Sequence, residues 1–125
     1  MAAMVCHGLF DHHPKLKIAT LELGSAWVHE LHRRLRTTYG KTPQLFKRDP
    51  VESFRQHVWV APFYEDNVAA LRDVHGSDRI LLGSDWPHPE GLSEPSKWVE
   101  DFRVLGPLDM KKALRENLLQ LCGRT

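Results

Sequence analysis

The chain has 125 residues, 42% of them hydrophobic and 26% charged, with a formal net charge of +1 at pH 7. That is one domain at most, long enough to bury a core, and the charge balance leaves no electrostatic footprint for nucleic acid or an acidic membrane. Two cysteines near opposite ends, Cys6 and Cys122, form no disulfide framework and read as reduced thiols of a cytoplasmic protein; the apolar runs fall far short of the roughly 20 residues of a membrane span, and residues 1–7 lack the charged and apolar regions of a signal peptide.

Residues 1–13 carry Val5, Leu9 and Phe10 and read as the last turns of a helix whose own strand is missing. Residues 16–23, between Pro14 and Gly24, predict the first strand. Ser25 would cap the following helix, with Trp27, Val28, Leu31 and Leu35 as its apolar stripe, His29, His32, Arg33 and Arg36 on the other side, and Gly40 as its stop. Asp49 followed by Pro50 and Glu52 predicts a capped short helix. Residues 57–61 read as the second strand, ended by Pro62 and Phe63. Asp66 would cap a helix with Val68, Leu71 and Val74 inward and Gly76 at its end, and residues 79–83 form the third strand, apolar enough to be covered on both faces. Ser93 would open a helix carrying Trp98, Val99 and Phe102. Asp109 would open the last one, with Met110, Ala113, Leu114, Leu118 and Leu121 inward and Gly123 as its terminal glycine. This β-α-β-α-β-α order demands crossover connections and a parallel sheet.

In such sheets active sites gather at the C-terminal ends of the strands. Asp85 stands there, after the third strand and within Gly83-Ser84-Asp85-Trp86-Pro87-His88. It could be a metal ligand, a general base or both in turn, or it could simply cap a turn. His88 and Glu90 follow in the same proline-stiffened loop; His88 suits either a site or a plain surface loop, and Glu90 reads as structural. Glu22 holds the equivalent place on the first strand, so two carboxylates could converge in one pocket, unless Glu22 pairs with an arginine or caps the next helix. His57 and the His12-His13 pair belong to the opposite end and read as structural or free surface groups. His29-Glu30-Leu31-His32 has the residue types of a zinc-protease helix, but its histidines are three apart where that motif needs four, and both read as exposed. The cysteines lack metal-site spacing, and neither a phosphate-binding glycine loop nor a nucleophile elbow is present.

Residues 80–91, with Gly-Ser-Asp-Trp-Pro-His-Pro-Glu-Gly at their centre, resemble the last-strand motif of the amidohydrolase-related metal-dependent hydrolases, relatives of aminocarboxymuconate semialdehyde decarboxylase. His13-Pro14-Lys15-Leu16-Lys17-Ile18 resembles the approach to that family's sixth strand, Trp59-Val60-Ala61-Pro62-Phe63 its seventh, and Asn117-Leu118-Leu119-Gln120-Leu121 its closing helix. The resemblance implies an α/β fold: the C-terminal three βα units of a (β/α)8 TIM-type barrel, with residues 1–125 as one partial barrel domain. It implies that Asp85 is the last-strand aspartate, which binds a divalent metal, often zinc, or handles the proton of the attacking water. His88 would act beside it, with Glu22 and Trp86 lining the substrate pocket. Glu22 departs from the pattern, standing where many relatives carry a histidine in a His-Gly-Gly context. The family's first-strand His-x-His pair and middle-strand histidine have no counterpart in this sequence.

The resulting expectation is a segment of a hydrolase for amide, ester or lactone bonds, or of a related decarboxylase, inactive alone. Its partners would be a small-molecule substrate in the complete enzyme, and an upstream barrel segment or further copies of itself, with no nucleic acid and no membrane. The alternative is a non-enzymatic truncated barrel module that self-associates to cover its sheet edges and apolar helix faces.

Overall fold

The computed structural model describes residues 1–89 and 91–124. Two short helices, α1 (Ala2–Cys6) and α2 (Leu9–His12), lead into β1 (Ile18–Thr20). The 16-residue α3 (Ala26–Lys41) and then α4 (Pro50–His57) precede β2 (Val58–Val60), and α5 (Val68–His75) follows it. The C-terminal third holds α6 (Pro95–Trp98), α7 (Pro107–Lys111) and α8 (Asn117–Leu121), the last two joined by a π turn at Lys112–Glu116. No helix among the described residues is long and apolar enough to cross a membrane.

β1 and β2 pair in parallel with Ile18 opposite Val58 and Thr20 opposite Val60. The expected third strand is reduced to one parallel bridge between Val60 and Ile80, sealed by the Leu81 amide donating to the Val60 carbonyl at 2.9 Å. All three strand segments are shorter than the apolar runs predict. Leu21 and Leu23, read as the end of the first strand, are exposed, because the chain turns through a positive φ at Glu22 and leaves the sheet. The expected order and parallel sense hold.

Strand alternation divides the core in two. Val58, Val60 and Ile80 join Val28, Leu35, Phe54, Val68 and Leu71 in a cluster beneath the helices. Trp59, Ala61 and Leu81 form a second cluster, against which Ala19 and Leu121 pack. The Arg79 guanidinium lies 4.4 Å from the centre of the Trp59 ring, so a cation covers the far side of that smaller cluster.

Helix starts follow their sequence signals unevenly. Asp49 caps α4 as expected, accepting from the Val51 and Glu52 amides, with Pro50 in the first turn. Asp66 does not cap α5; Asn67 does, accepting from the Ala70 amide at 2.9 Å. Ser25 precedes α3 but makes no capping bond to it, its hydroxyl being drawn to Asp66. Neither Ser93 nor Asp109 is a cap: α6 starts after Glu94, and α7 after Gly106 with Pro107 in its first turn. Leu114 and Leu118 are exposed, whereas Ala113 and Asn117 are buried. The π turn accounts for this, since its wider spacing rotates the helix face that follows. Asn117 then donates to the Ser77 and Ile80 carbonyls at 2.7 and 2.8 Å, tying the last helix to the start of the third strand segment.

His57 is structural, as expected: its ring stacks on Phe10 and its Nδ1 lies 2.8 Å from the Leu16 carbonyl. His32 departs from expectation. It is 1% exposed, because residues 28, 32 and 35 fall on one helical face, and its ring meets Phe54 edge-on and lies 5.7 Å from the ring of His75. His75 Nε2 sits 3.0 Å from the Val58 carbonyl, which can only accept, so that nitrogen carries the proton. Burial pushes both histidines down from 6.5 to about 4. Between those values the unfolded chain binds more protons than the folded one, so stability conferred by the neutral pair is complete above about pH 6.5 and is lost as pH falls towards 4. The loss is on the order of 3 kcal/mol per histidine at most. The urea midpoint of the chain should therefore drop between about pH 7 and pH 4.5, and His32→Leu should remove part of that drop. An identical pH dependence in the variant would show that the buried pair is not its source.

Candidate functional site

Thr20, Val60 and Ile80 lie near the ends of three adjacent parallel segments, so the loops that follow them emerge on one side of the molecule. Both acidic residues singled out in the sequence stand in these loops, and both adopt left-handed backbone, φ 54° at Glu22 and φ 56° at Asp85. Such conformations are uncommon outside glycine and cluster at functional sites.

A cavity of about 240 Å³ opens here, lined by Pro62, Phe63, Tyr64 and Glu65 after β2, by Gly83, Ser84 and Asp85 after the third segment, and by Trp98 of α6. Its walls are largely aromatic, and Asp85 and Glu65 are the carboxylates among its lining residues. Hydrogen bonding to Glu65 pushes the Tyr64 phenol up from its ordinary range. Tight turns hold the Asp85 loop: its carbonyl accepts from the His88 amide at 2.8 Å, and the Trp86 amide reaches the Ser84 hydroxyl at 3.3 Å. Gly91 packs so closely on this loop that a Cβ there would sit 2.7 Å from the Asp85 carbonyl oxygen.

Of the four sequence-predicted site residues, Asp85 lines this cavity, with its side chain 30% exposed. His88 stands beside it, Nδ1 to Oδ2 at 3.8 Å, and is 55% exposed. Trp86 is 66% exposed, and neither it nor Glu22 is among the residues lining the cavity. Glu90 lies outside the described residues. Among the described residues no three His, Cys, Asp or Glu side chains come together in a way that could hold a metal ion. A catalytic zinc takes three protein ligands; Asp85 with His88 at 3.8 Å does not meet that requirement, so the donors among the described residues do not fit a self-sufficient metal centre.

Sequence reasoning missed two features. Phe63, Tyr64 and Trp98 form the cavity wall; the first two could have been suspected as bulky aromatics stranded just past a strand end. Asp66, read as a helix cap, instead accepts from the Ser25 and Phe63 amides across two loops. No local signal distinguishes those roles, since Asp66 and Asn67 are adjacent and both are competent caps.

The amidohydrolase family model matches residues 1–121, and the chain belongs to that family. Over 97% of its length it is 29% identical to gamma-resorcylate decarboxylase of Rhizobium radiobacter, covering 39% of that protein. An amidohydrolase structure from Mycobacterium avium subsp. paratuberculosis superposes with a TM-score of 0.91 at 46% identity, over 96% of this chain and 31% of that one. A dihydroxybenzoic acid decarboxylase structure from Polaromonas, with bound manganese and the inhibitor 2-nitroresorcinol, superposes with a TM-score of 0.72 at 26% identity, over 99% of this chain and 39% of that one. The chain thus spans between three and four tenths of the length of these proteins.

The packing of the loops makes a direct prediction. At Gly24, φ is 60° and a Cβ would lie 2.8 Å from the Phe63 ring. Gly24→Ala should destabilise the chain by about 1–3 kcal/mol. Gly40→Ala, in α3 with nothing within 4 Å of its Cβ, should be neutral or stabilising by up to about 1 kcal/mol. Urea unfolding of the two variants measures both; equal midpoints would contradict the close approach at Gly24.

Proposed function

We propose that these residues form the last three βα units of a metal-dependent (β/α)8 enzyme of the amidohydrolase family, and that their share of its active site is Asp85 and the aromatic cavity beside it. The observation that carries this reading is the placement of Asp85: a carboxylate held in left-handed backbone in the loop that follows a parallel strand segment, lining a cavity walled by Phe63, Tyr64 and Trp98. Flat aromatic walls suit a planar ring, which stacks or meets them edge-on. Asp85 would take or return the proton.

Within the family we favour decarboxylation of a hydroxylated aromatic acid. Support comes from the gamma-resorcylate decarboxylase likeness and from the Polaromonas structure, whose inhibitor is itself an aromatic ring. Hydrolysis of an amide, ester or lactone is the second reading, favoured by the 46% identity to a protein described as an amidohydrolase. In either case the divalent metal, zinc by the sequence resemblance or manganese as in the Polaromonas structure, would need donors beyond those the described residues bring together. The partner would be a barrel segment that supplies them, and the alternative of a self-associating, non-enzymatic module stands against it.

Two arrangements test the proposal. Purified chain, given manganese or zinc and gamma-resorcylate, should release no carbon dioxide above background. The same chain co-expressed with the remainder of the Mycobacterium avium amidohydrolase, outside the matched segment, should form a complex that takes up metal. Asp85→Asn should weaken that uptake or abolish turnover while leaving the complex intact. Chelator-sensitive turnover by the chain alone would overturn the shared-site reading, and a stable homo-oligomer that refuses that remainder would favour the module.

A further inference from the structure

We infer that Asp66 is a positioning residue, whose single carboxylate oxygen clamps the loop after β1 to the loop after β2 and so sets the aromatic wall of the Asp85 cavity. The inference rests on reading that cavity as the substrate site. Asp66 Oδ2 accepts three hydrogen bonds: from the Ser25 amide at 2.7 Å, from the Ser25 hydroxyl at 3.0 Å and from the Phe63 amide at 2.8 Å. Ser25 and Asp66 are 41 residues apart, so this one atom joins segments that are distant in sequence. The Asp66 amide closes the turn by donating to the Phe63 carbonyl at 3.1 Å, so both the N–H and the C=O of Phe63 are held by Asp66.

A helix-capping role would account for an aspartate here without any wider purpose. That role is taken by Asn67, and the Asp66 carboxylate points across to the other loop. The residues it meets are shaped to receive it. Gly24 lies so near Phe63 and Asp66 that a Cβ would approach the Phe63 ring at 2.8 Å and Asp66 Oδ2 at 3.2 Å. The Gly24 carbonyl is held in turn by the Trp27 indole N–H at 2.9 Å, which carries the restraint into α3. Ser25 also gives up its own capping bond to donate its hydroxyl to Asp66, so the carboxylate serves at the N-terminal end of α3, where a negative charge is favoured. The clamp lies directly beside Phe63 and Tyr64, both of which line the cavity.

Amide hydrogen exchange read by nuclear magnetic resonance on the intact 125-residue chain tests this without any need for turnover. Hydrogen bonds to a charged acceptor are among the stronger ones, so Asp66→Ala should speed exchange at the Ser25 and Phe63 amides by roughly tenfold or more, and leave the β2 amides unchanged. Asp66→Asn, which keeps an acceptor oxygen, should restore most of the protection. Should Asp66→Ala fail to fold, Ser25→Ala removes only the hydroxyl bond and should raise exchange at Phe63 several-fold. Unchanged exchange at Phe63 in Ser25→Ala and in Asp66→Ala, or a uniform loss across β2 that Asp66→Asn does not relieve, would overturn the clamp. Adding gamma-resorcylate to the metal-loaded complex of this chain with the complementary barrel segment separates the two layers: local exchange changes in the variants without any shift of the Phe63 and Tyr64 signals on adding the ligand would keep the clamp and count against the substrate site.

Discussion

The structure hangs on β2. Its three residues are buried on both faces, it pairs with β1 on one side, and it bridges to Ile80 on the other. Val58 and Val60 are held by α3, α4 and α5, while Trp59 turns to the opposite cluster under the Arg79 guanidinium. Each buried valine contributes on the order of 1.5–3 kcal/mol. The larger consequence is geometric: with β2 fixed, the loops after all three segments must emerge together, and Pro62 and Phe63 come to lie beside Gly83 and Asp85.

That arrangement explains why a chain with so little sheet still shapes a cavity. The strand segments need only be long enough to aim their loops. What the loops do next is set by local devices: left-handed backbone at Glu22 and Asp85, glycine at positions 24 and 91 where neighbouring atoms leave no room for a side chain, and one carboxylate at Asp66 that accepts from two separate loops. The cavity has aromatic walls and the carboxylates of Asp85 and Glu65, and among the described residues no three His, Cys, Asp or Glu side chains come together to hold a metal. The chain belongs to the amidohydrolase family and spans 39% of the Rhizobium radiobacter relative.

Much of the architecture was legible in the sequence because it rests on periodicity. The apolar runs ending at Gly24, Pro62 and Gly83 mark the strand segments, and Asp49-Pro50 marks α4. The Gly-Ser-Asp-Trp-Pro-His motif carried the family resemblance. The misreadings have physical causes. A helical face that includes two apolar neighbours also takes up His32, which polarity alone assigns to solvent. The π turn at Lys112–Glu116 shifts the face of the last helix, and nothing in Leu114 or Leu118 announces it. Asp66 and Asn67 are equivalent as caps until the tertiary fold brings Ser25 alongside one of them.

The central proposal is that Asp85 belongs to a family metal site for which the described residues do not gather a full donor set. Calorimetric titration of manganese into the purified chain tests it most directly. The account predicts no stoichiometric, saturable binding, and no difference between the native chain and Asp85→Asn. Tight one-to-one binding that Asp85→Asn abolishes would contradict it, because it would show that the chain holds a full set of metal donors on its own.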